Sequence, residues 1–233
     1  MFPLRDTIRS RDLPIVNLLI IGINVMVFLF EASLEPQQLE AFIELCGAVP
    51  QRFLAYFGLG QIATLFTSMF LHGGWAHLIS NVWALYVFGD NVEDRMGHLR
   101  YLVFYLLSGV IAALTHIFVT PTGIVPTVGA SGAISAVLGA YLVLFPTSRV
   151  ITLVPIFFVP WFVEIPALFY LGFWFVSQLF NGLFALTVSG SVGTYGGVAW
   201  WAHVGGFAAG LILVGIFARR RVRRPYPDEY WPW

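Results

Sequence analysis

Four side chains in this chain have types and spacings that could do chemistry together: His77 and Asn81 in WAHLISN, Ser131 in GASGAISAVLGAY, and His203 in WWAHVGGFAAG. A serine hydroxyl becomes a useful nucleophile only when a neighbouring base takes its proton. His203 is the candidate base, and an aligned imidazole contributes about 10²–10⁴-fold in rate. Attack on a carbonyl creates an oxyanion that needs preorganised donors. The Ser131 backbone N–H, the His77 imidazole and the Asn81 amide are groups of that kind. His77 and Asn81 lie one helical turn apart and share a helix face. Each residue also has a plainer reading. A serine in an apolar helix commonly serves as a small packing residue, as we read Ser135. A histidine near a helix end, such as His116, commonly sits at an interface, and His98 falls in a loop where solvation is expected. His77 and Asn81 alone could make helix–helix hydrogen bonds. Only the conjunction points to catalysis, and it depends on the elements that carry these residues.

Those elements read as membrane spans. Of 233 residues, 58% are hydrophobic and 10% charged, with a mean hydropathy of +0.82, whereas soluble domains carry roughly 25% charged residues. The formal net charge is zero, which offers no basic surface for nucleic acid. A helix needs about 20 apolar residues to cross a bilayer. Six stretches qualify, at about 13–32, 75–92, 101–119, 129–145, 165–186 and 197–218. A further run, Val150–Val163, is short and broken by Pro155 and Pro160, so we expect it to be re-entrant or interfacial. With six spans and the N-terminus inside, all of the 12 basic residues except Arg52 fall on the inner side. That is a positive-inside pattern, and a seventh span would break it by moving the C-terminal arginines outside.

The fold class expected is therefore an all-α integral membrane protein, a six-transmembrane-helix bundle. Residues 1–12 form a cytoplasmic N-terminal segment, 13–218 the membrane domain, and 219–233 an Arg-rich cytoplasmic tail. The first span lacks a small-residue cleavage site after it and reads as an anchor, not a cleaved signal peptide. The connection from Ser33 to Gly74 carries apolar pieces, Phe53–Phe57 and Leu65–Leu71, and is expected to lie partly in the outer leaflet. A single cysteine, Cys46, rules out an internal disulfide, and no clustered Cys/His/carboxylate set suggests a metal.

Spans two, four and six all run from outside to inside, so His77, Asn81, Ser131 and His203 share a depth near the outer ends of their helices. Polar groups inside spans are costly and default to a functional reading. Gly129 and Gly132 flank Ser131, and Gly132, Ala136 and Ala140 continue as a small-residue stripe. Gly206 and Gly210 follow His203. Small residues at four-residue spacing let membrane helices approach closely, which would bring hydroxyl and imidazole together. Glu31, at the end of the first span, is the one carboxylate in the outer half of a span. We therefore expect a Ser–His dyad whose imidazole is oriented by packing and not by a third acid.

The pattern resembles the rhomboid intramembrane serine proteases over nearly the whole chain. The matching residues are His72-x4-His77-x3-Asn81, Gly89-x3-Glu93-x3-Gly97 with Arg95, Gly129-x-Ser131-Gly132, and Ala202-His203-x2-Gly206-x3-Gly210. The resemblance implies Ser131 as nucleophile, His203 as base, and His77, Asn81 and the Ser131 backbone, with Gly129, at the oxyanion and substrate site. It implies structural roles for His72, Glu93, Arg95, Gly97, Gly132, Gly206 and Gly210. It further implies a rhomboid-like bundle with a membrane-embedded first loop, with span five and that loop as the gate. Transmembrane-helix protein substrates and membrane lipids are the partners it implies, and it implies no cofactor or metal. We expect a multi-pass protein of a prokaryotic plasma membrane with both termini cytoplasmic. Two departures stand out. Ala63-Thr64 occupies a position where many members carry Trp-Arg, and Ser135 one where some carry an aromatic that stacks on the histidine. The alternatives are a catalytically inactive rhomboid-like client-binding protein and, with less support, a transporter. Inactive relatives lack the serine or histidine kept here, and transporters often show internal repeats, which this chain does not.

Overall fold

The computed structural model describes residues 2–156, 159–188 and 197–219. Each of the six expected spans is helical. Ile15–Ser33 (α1) is followed by three short helices, Pro36–Cys46 (α2), Pro50–Ala55 (α3) and Leu59–Thr67 (α4), and a 3₁₀ turn at Ser68–Phe70. Proline opens α2 and α3, where its missing N–H would have had no helical partner in any case. Trp75–Ala84 (α5), a π turn at Leu85–Gly89 and Asp90–Met96 (α6) run on as one helix. His98–Val119 (α7), Ser131–Leu144 (α8), Ala167–Val188 (α9) and Trp200–Phe217 (α10) complete the helical part.

Among the described residues four helices are long and apolar enough to cross a bilayer by length and composition: Ile15–Ser33, His98–Val119, Ala167–Thr187 and Trp200–Phe217. The composite helix Trp75–Met96 and α8 fall outside that measure. α8 has 14 residues, about 21 Å at 1.5 Å per residue, and every residue from Gly132 to Tyr141 is buried. It is the central helix, with α10 and α7 packed on it. Phe88, Tyr101, Phe104, Tyr105 and Tyr141 fill the core around its second half.

At the end of the bundle away from Ser131, polar side chains tie the helices together. The Asn17 amide of α1 donates to the Leu85 carbonyl, at the start of the π turn, at 2.9 Å. The Tyr101 hydroxyl donates to the other end of that amide at 2.9 Å. Glu93 accepts from the backbone N–H groups of Val16 at 3.0 Å and Asn17 at 2.7 Å. These belong to the first turn of α1, where amides have no intrahelical acceptor and a carboxylate is favoured. His98, expected to be merely solvated, is half-exposed and paired through Nδ1 with Glu93 Oε1 at 2.5 Å.

The all-α expectation requires correction, because the chain also forms a three-stranded antiparallel sheet. Phe2–Asp6 (β1) pairs with Arg149–Ile156 (β2), which pairs with Val159–Pro166 (β3). The run expected to be re-entrant or interfacial is thus the main part of a β-hairpin, and the N-terminal segment is its third strand. Val, Ile and Thr favour an extended chain. Of the prolines that would break a helix, Pro160 is tolerated because β3 is an edge strand, and Pro155 lies in β2 beyond the residues that β1 pairs. Asp6 secures the sheet to the bundle, accepting from Tyr141 Oη at 2.5 Å and Asn91 Nδ2 at 2.9 Å. Of the expected tail, Arg219 is described, its N–H bonded to the Arg95 carbonyl at 3.0 Å. Arg220, Arg221, Arg223 and Arg224 lie outside the described residues.

The exterior is apolar where a lipid-facing surface would be. Leu19, Met26 and Phe30 of α1, and Phe169, Phe173 and Phe180 of α9, are exposed. So are Tyr56, Phe57 and Leu59 of the first loop. Hydrocarbon is the solvent in which such faces have no cost.

Candidate active site

The chain enters α8 through Gly129, whose φ of +127° lies in the region that favours glycine. Its N–H is held by the Ser68 carbonyl at 2.8 Å. A Cβ here would fall 2.6 Å from His77 Cε1 and 2.7 Å from Nε2. Glycine therefore lets this backbone lie against the His77 ring, and Ser131 begins the helix beside it. As the first helical residue, Ser131 has a backbone N–H with no intrahelical acceptor.

Ser131 Oγ and His203 Nε2 are 2.8 Å apart. Backbone contact between α8 and α10 makes this possible. A Cβ on Gly206 would collide with the Gly132 carbonyl oxygen, and one on Gly210 with that of Ala136. The two small-residue stripes thus pack main chain against main chain, as glycine-rich membrane interfaces do. Gly206→Val should force the helices apart by roughly an ångström, and a misplacement of that size typically costs about 10²-fold in rate. Any proteolysis measured for wild type should fall by that factor in the purified variant. An unchanged rate would mean that the α8–α10 contact does not set the Ser131–His203 distance.

The second nitrogen of His203, Nδ1, lies 2.8 Å from Gln178 Oε1 of α9. The rings of Trp174 and Trp200 flank the imidazole, with centroids 5.9 and 6.2 Å away. The expectation that packing alone orients the imidazole is therefore incomplete, since a neutral amide holds it as well. Gln178 escapes a reading of the sequence that weighs only a carboxylate as the orienting partner of the imidazole. The signal was present, as a glutamine in the middle of an apolar span is costly unless partnered. Trp174 and Trp200 surround the imidazole where Ser135 leaves no aromatic. Ser135 instead bonds back to the Ser131 carbonyl at 2.6 Å.

Hydrogen bonding assigns the His77 tautomer. The Gly73 N–H donates to His77 Nδ1 at 3.3 Å, so Nδ1 is the acceptor and Nε2 carries the proton. That Nε2–H is the atom against Gly129. Asn81 is buried, and its Nδ2 has no hydrogen-bond partner among the described residues. Asn81 lies one helical turn from His77 on α5, and with the Ser131 N–H these are the candidate donors. His72 of the loop is buried, its Nδ1 bonded to the Phe70 carbonyl at 3.2 Å. Burial, and next the neighbouring His77, pushes the His72 imidazole down to about 4. Its backbone N–H is held by the Glu31 carboxylate at 3.1 and 3.3 Å. Glu31 thus ties the loop to α1, while Thr64, at the Trp-Arg position, bonds to the nearby Gln61 carbonyl at 2.7 Å. His116, expected at an interface, is half-buried, with Nδ1 buried and without a partner among the described residues.

The structure brings together Ser131, His203, His77, Gly129, Gly132, Gly206 and, one turn beyond it, Gly210, with Asn81 one helical turn along α5 from His77. It leaves Glu93, Arg95 and Gly97 apart, roughly 24–30 Å along the chain from His77 at 1.5 Å per residue. There Arg95 lies over the Phe145 ring at 5.3 Å. Gly97, with φ +80°, joins α6 to α7. Among the described residues no group of three His, Cys, Asp or Glu side chains is placed to hold a metal ion. The arrangement can pass a proton from Oγ to Nε2 and can solvate an oxyanion beside it.

The family model for the Rhomboid domain matches residues 59–220. RHOMBOID-like protein 1 of Arabidopsis thaliana is 29% identical over 160 residues, covering 69% of this chain and 36% of that protein. Presenilin-associated rhomboid-like protein A, mitochondrial, of Danio rerio is 32% identical over 122 residues, covering 48% and 32%. Rhomboid protease GluP of Bacillus subtilis (strain 168) is 34% identical over 140 residues, covering 58% and 26%. The chain thus spans about a third or less of the length of these curated relatives.

Proposed function

This chain belongs to the rhomboid family, and from that premise we propose that it is an intramembrane serine endopeptidase that cleaves single-pass transmembrane proteins with a Ser131–His203 dyad. The observation that carries the reading is the 2.8 Å contact between Ser131 Oγ and His203 Nε2. Oγ attacks the scissile carbonyl carbon as Nε2 takes its proton. The tetrahedral oxyanion is held by the Ser131 N–H, His77 Nε2–H and Asn81 Nδ2–H. The imidazolium then protonates the leaving amine, and water deacylates the enzyme by the same route in reverse. Glu93, Arg95 and Gly97 serve the fold at the other end of the bundle. The test is cleavage of a panel of single-pass helices by the purified chain in liposomes, together with a fluorophosphonate probe. Cleavage with label on Ser131 alone supports the reading. No cleavage and no label would leave the chain as a client-binding member of the family.

The proposal includes six spans with both termini cytoplasmic, in a prokaryotic plasma membrane. The arginine distribution supports the topology, and so does the β-hairpin that takes up Val150–Val163. Single cysteines at Gly193 and Asp228, both outside the described residues, would report it in a Cys46→Ala background. An impermeant reagent on intact cells should modify the first and spare the second. The reverse labelling would overturn the topology.

A further inference from the structure

We propose that Gln178 is the positioning residue of the base: its side-chain carbonyl fixes the His203 tautomer and ring orientation from a neighbouring helix. This rests on the protease reading for its kinetic consequence, but not for its structural content. The orientation of the amide follows from its partners. Its nitrogen end lies 3.3 Å from the Trp174 carbonyl and 3.0 Å from Ser177 Oγ. A carbonyl oxygen can only accept, so the NH₂ must face it, and Oε1 must face His203. Oε1 in turn can only accept, so His203 Nδ1 carries the hydrogen, and the imidazole lone pair sits on Nε2, 2.8 Å from Ser131 Oγ. The other tautomer would place a hydrogen on Nε2 and leave Oε1 without a donor.

The site explains why an amide does this and not a carboxylate. Gln178 is 6% exposed and His203 8%. A buried carboxylate would bring a desolvation cost that its attraction to the imidazole repays only partly. A neutral amide gives direction without the charge. Trp174 lies one turn before Gln178 on the same face of α9, so one face of this helix supplies both the ring beside the imidazole and the acceptor at its end.

The experiment uses the full chain in liposomes with Gln178→Leu, Gln178→Glu and ¹⁵N-labelled histidine, at pH 8, where an ordinary imidazole is neutral. Wild type should show the Nδ1–H tautomer for His203, assigned by loss of the signal in His203→Ala. Gln178→Leu should show a tautomer mixture. Its kcat should fall about 10- to 10²-fold with KM unchanged, short of the roughly 10⁴-fold loss seen when a partner enforces the wrong tautomer. Gln178→Glu keeps an acceptor oxygen and should restore the tautomer and most of kcat. An unchanged tautomer in Gln178→Leu overturns the proposal, whatever the rate does. If wild type cleaves nothing, the protease reading fails, and the ¹⁵N signals still decide the role of Gln178.

Discussion

Ser131→Ala and His203→Ala are each expected to reduce proteolysis by at least about 10⁴-fold, because dyad members act as a unit and either loss removes most of what the pair supplies. The Ser131 hydroxyl bonds to His203, so its removal deletes a nucleophile and little else. His203→Ala is the harsher change for the fold, since it leaves a cavity between Trp174 and Trp200 and takes the Nδ1 partner from Gln178. Thermal unfolding in detergent separates the two effects. Ser131→Ala should unfold near the wild-type temperature, and His203→Ala somewhat below it but still cooperatively. Either purified, folded variant cleaving at the wild-type rate would remove the dyad from the mechanism.

His77→Ala is expected to lower kcat by roughly 10²–10³-fold, the usual effect of deleting one oxyanion donor, and Asn81→Ala by less. A buried polar group without a partner is expensive, costing about 1–3 kcal/mol. Asn81 Nδ2 has none among the described residues. A donor kept waiting in this way is explained if its acceptor arrives with the substrate and strengthens as the oxyanion forms. His77 is the more sensitive position because its ring also receives the Gly73 N–H and packs on Gly129. Its loss therefore loosens the loop as well as the donor. KM should change little in either variant, as the interaction is made mainly in the transition state. Unchanged kcat with a large rise in KM would make the pair recognition groups instead.

Much of this protein was legible in its sequence. Hydrophobic stretches of spanning length located every long helix, because a bilayer requires such segments wherever the chain crosses. Gly132, Gly206 and Gly210 marked where helices meet, because residues without bulky side chains permit backbone contact. The shared depth of Ser131, His203, His77 and Asn81 came from counting spans, and the structure has these residues together at one end of the bundle. The tertiary structure alone decided three matters. The run Val150–Val163 belongs to a sheet because it pairs within itself and also with β1, from a distant part of the chain; a non-local partner leaves no periodic trace in a short apolar run. Glu31 holds His72 because the end of α1 reaches the loop, a contact between segments that span counting treats separately. Gln178 reaches His203 only once α9 packs against α10. Residue type and spacing carry the period of an element and the depth of a side chain. They do not carry the rotation of one helix about its axis relative to the next, and that rotation selected an amide as the partner of the imidazole.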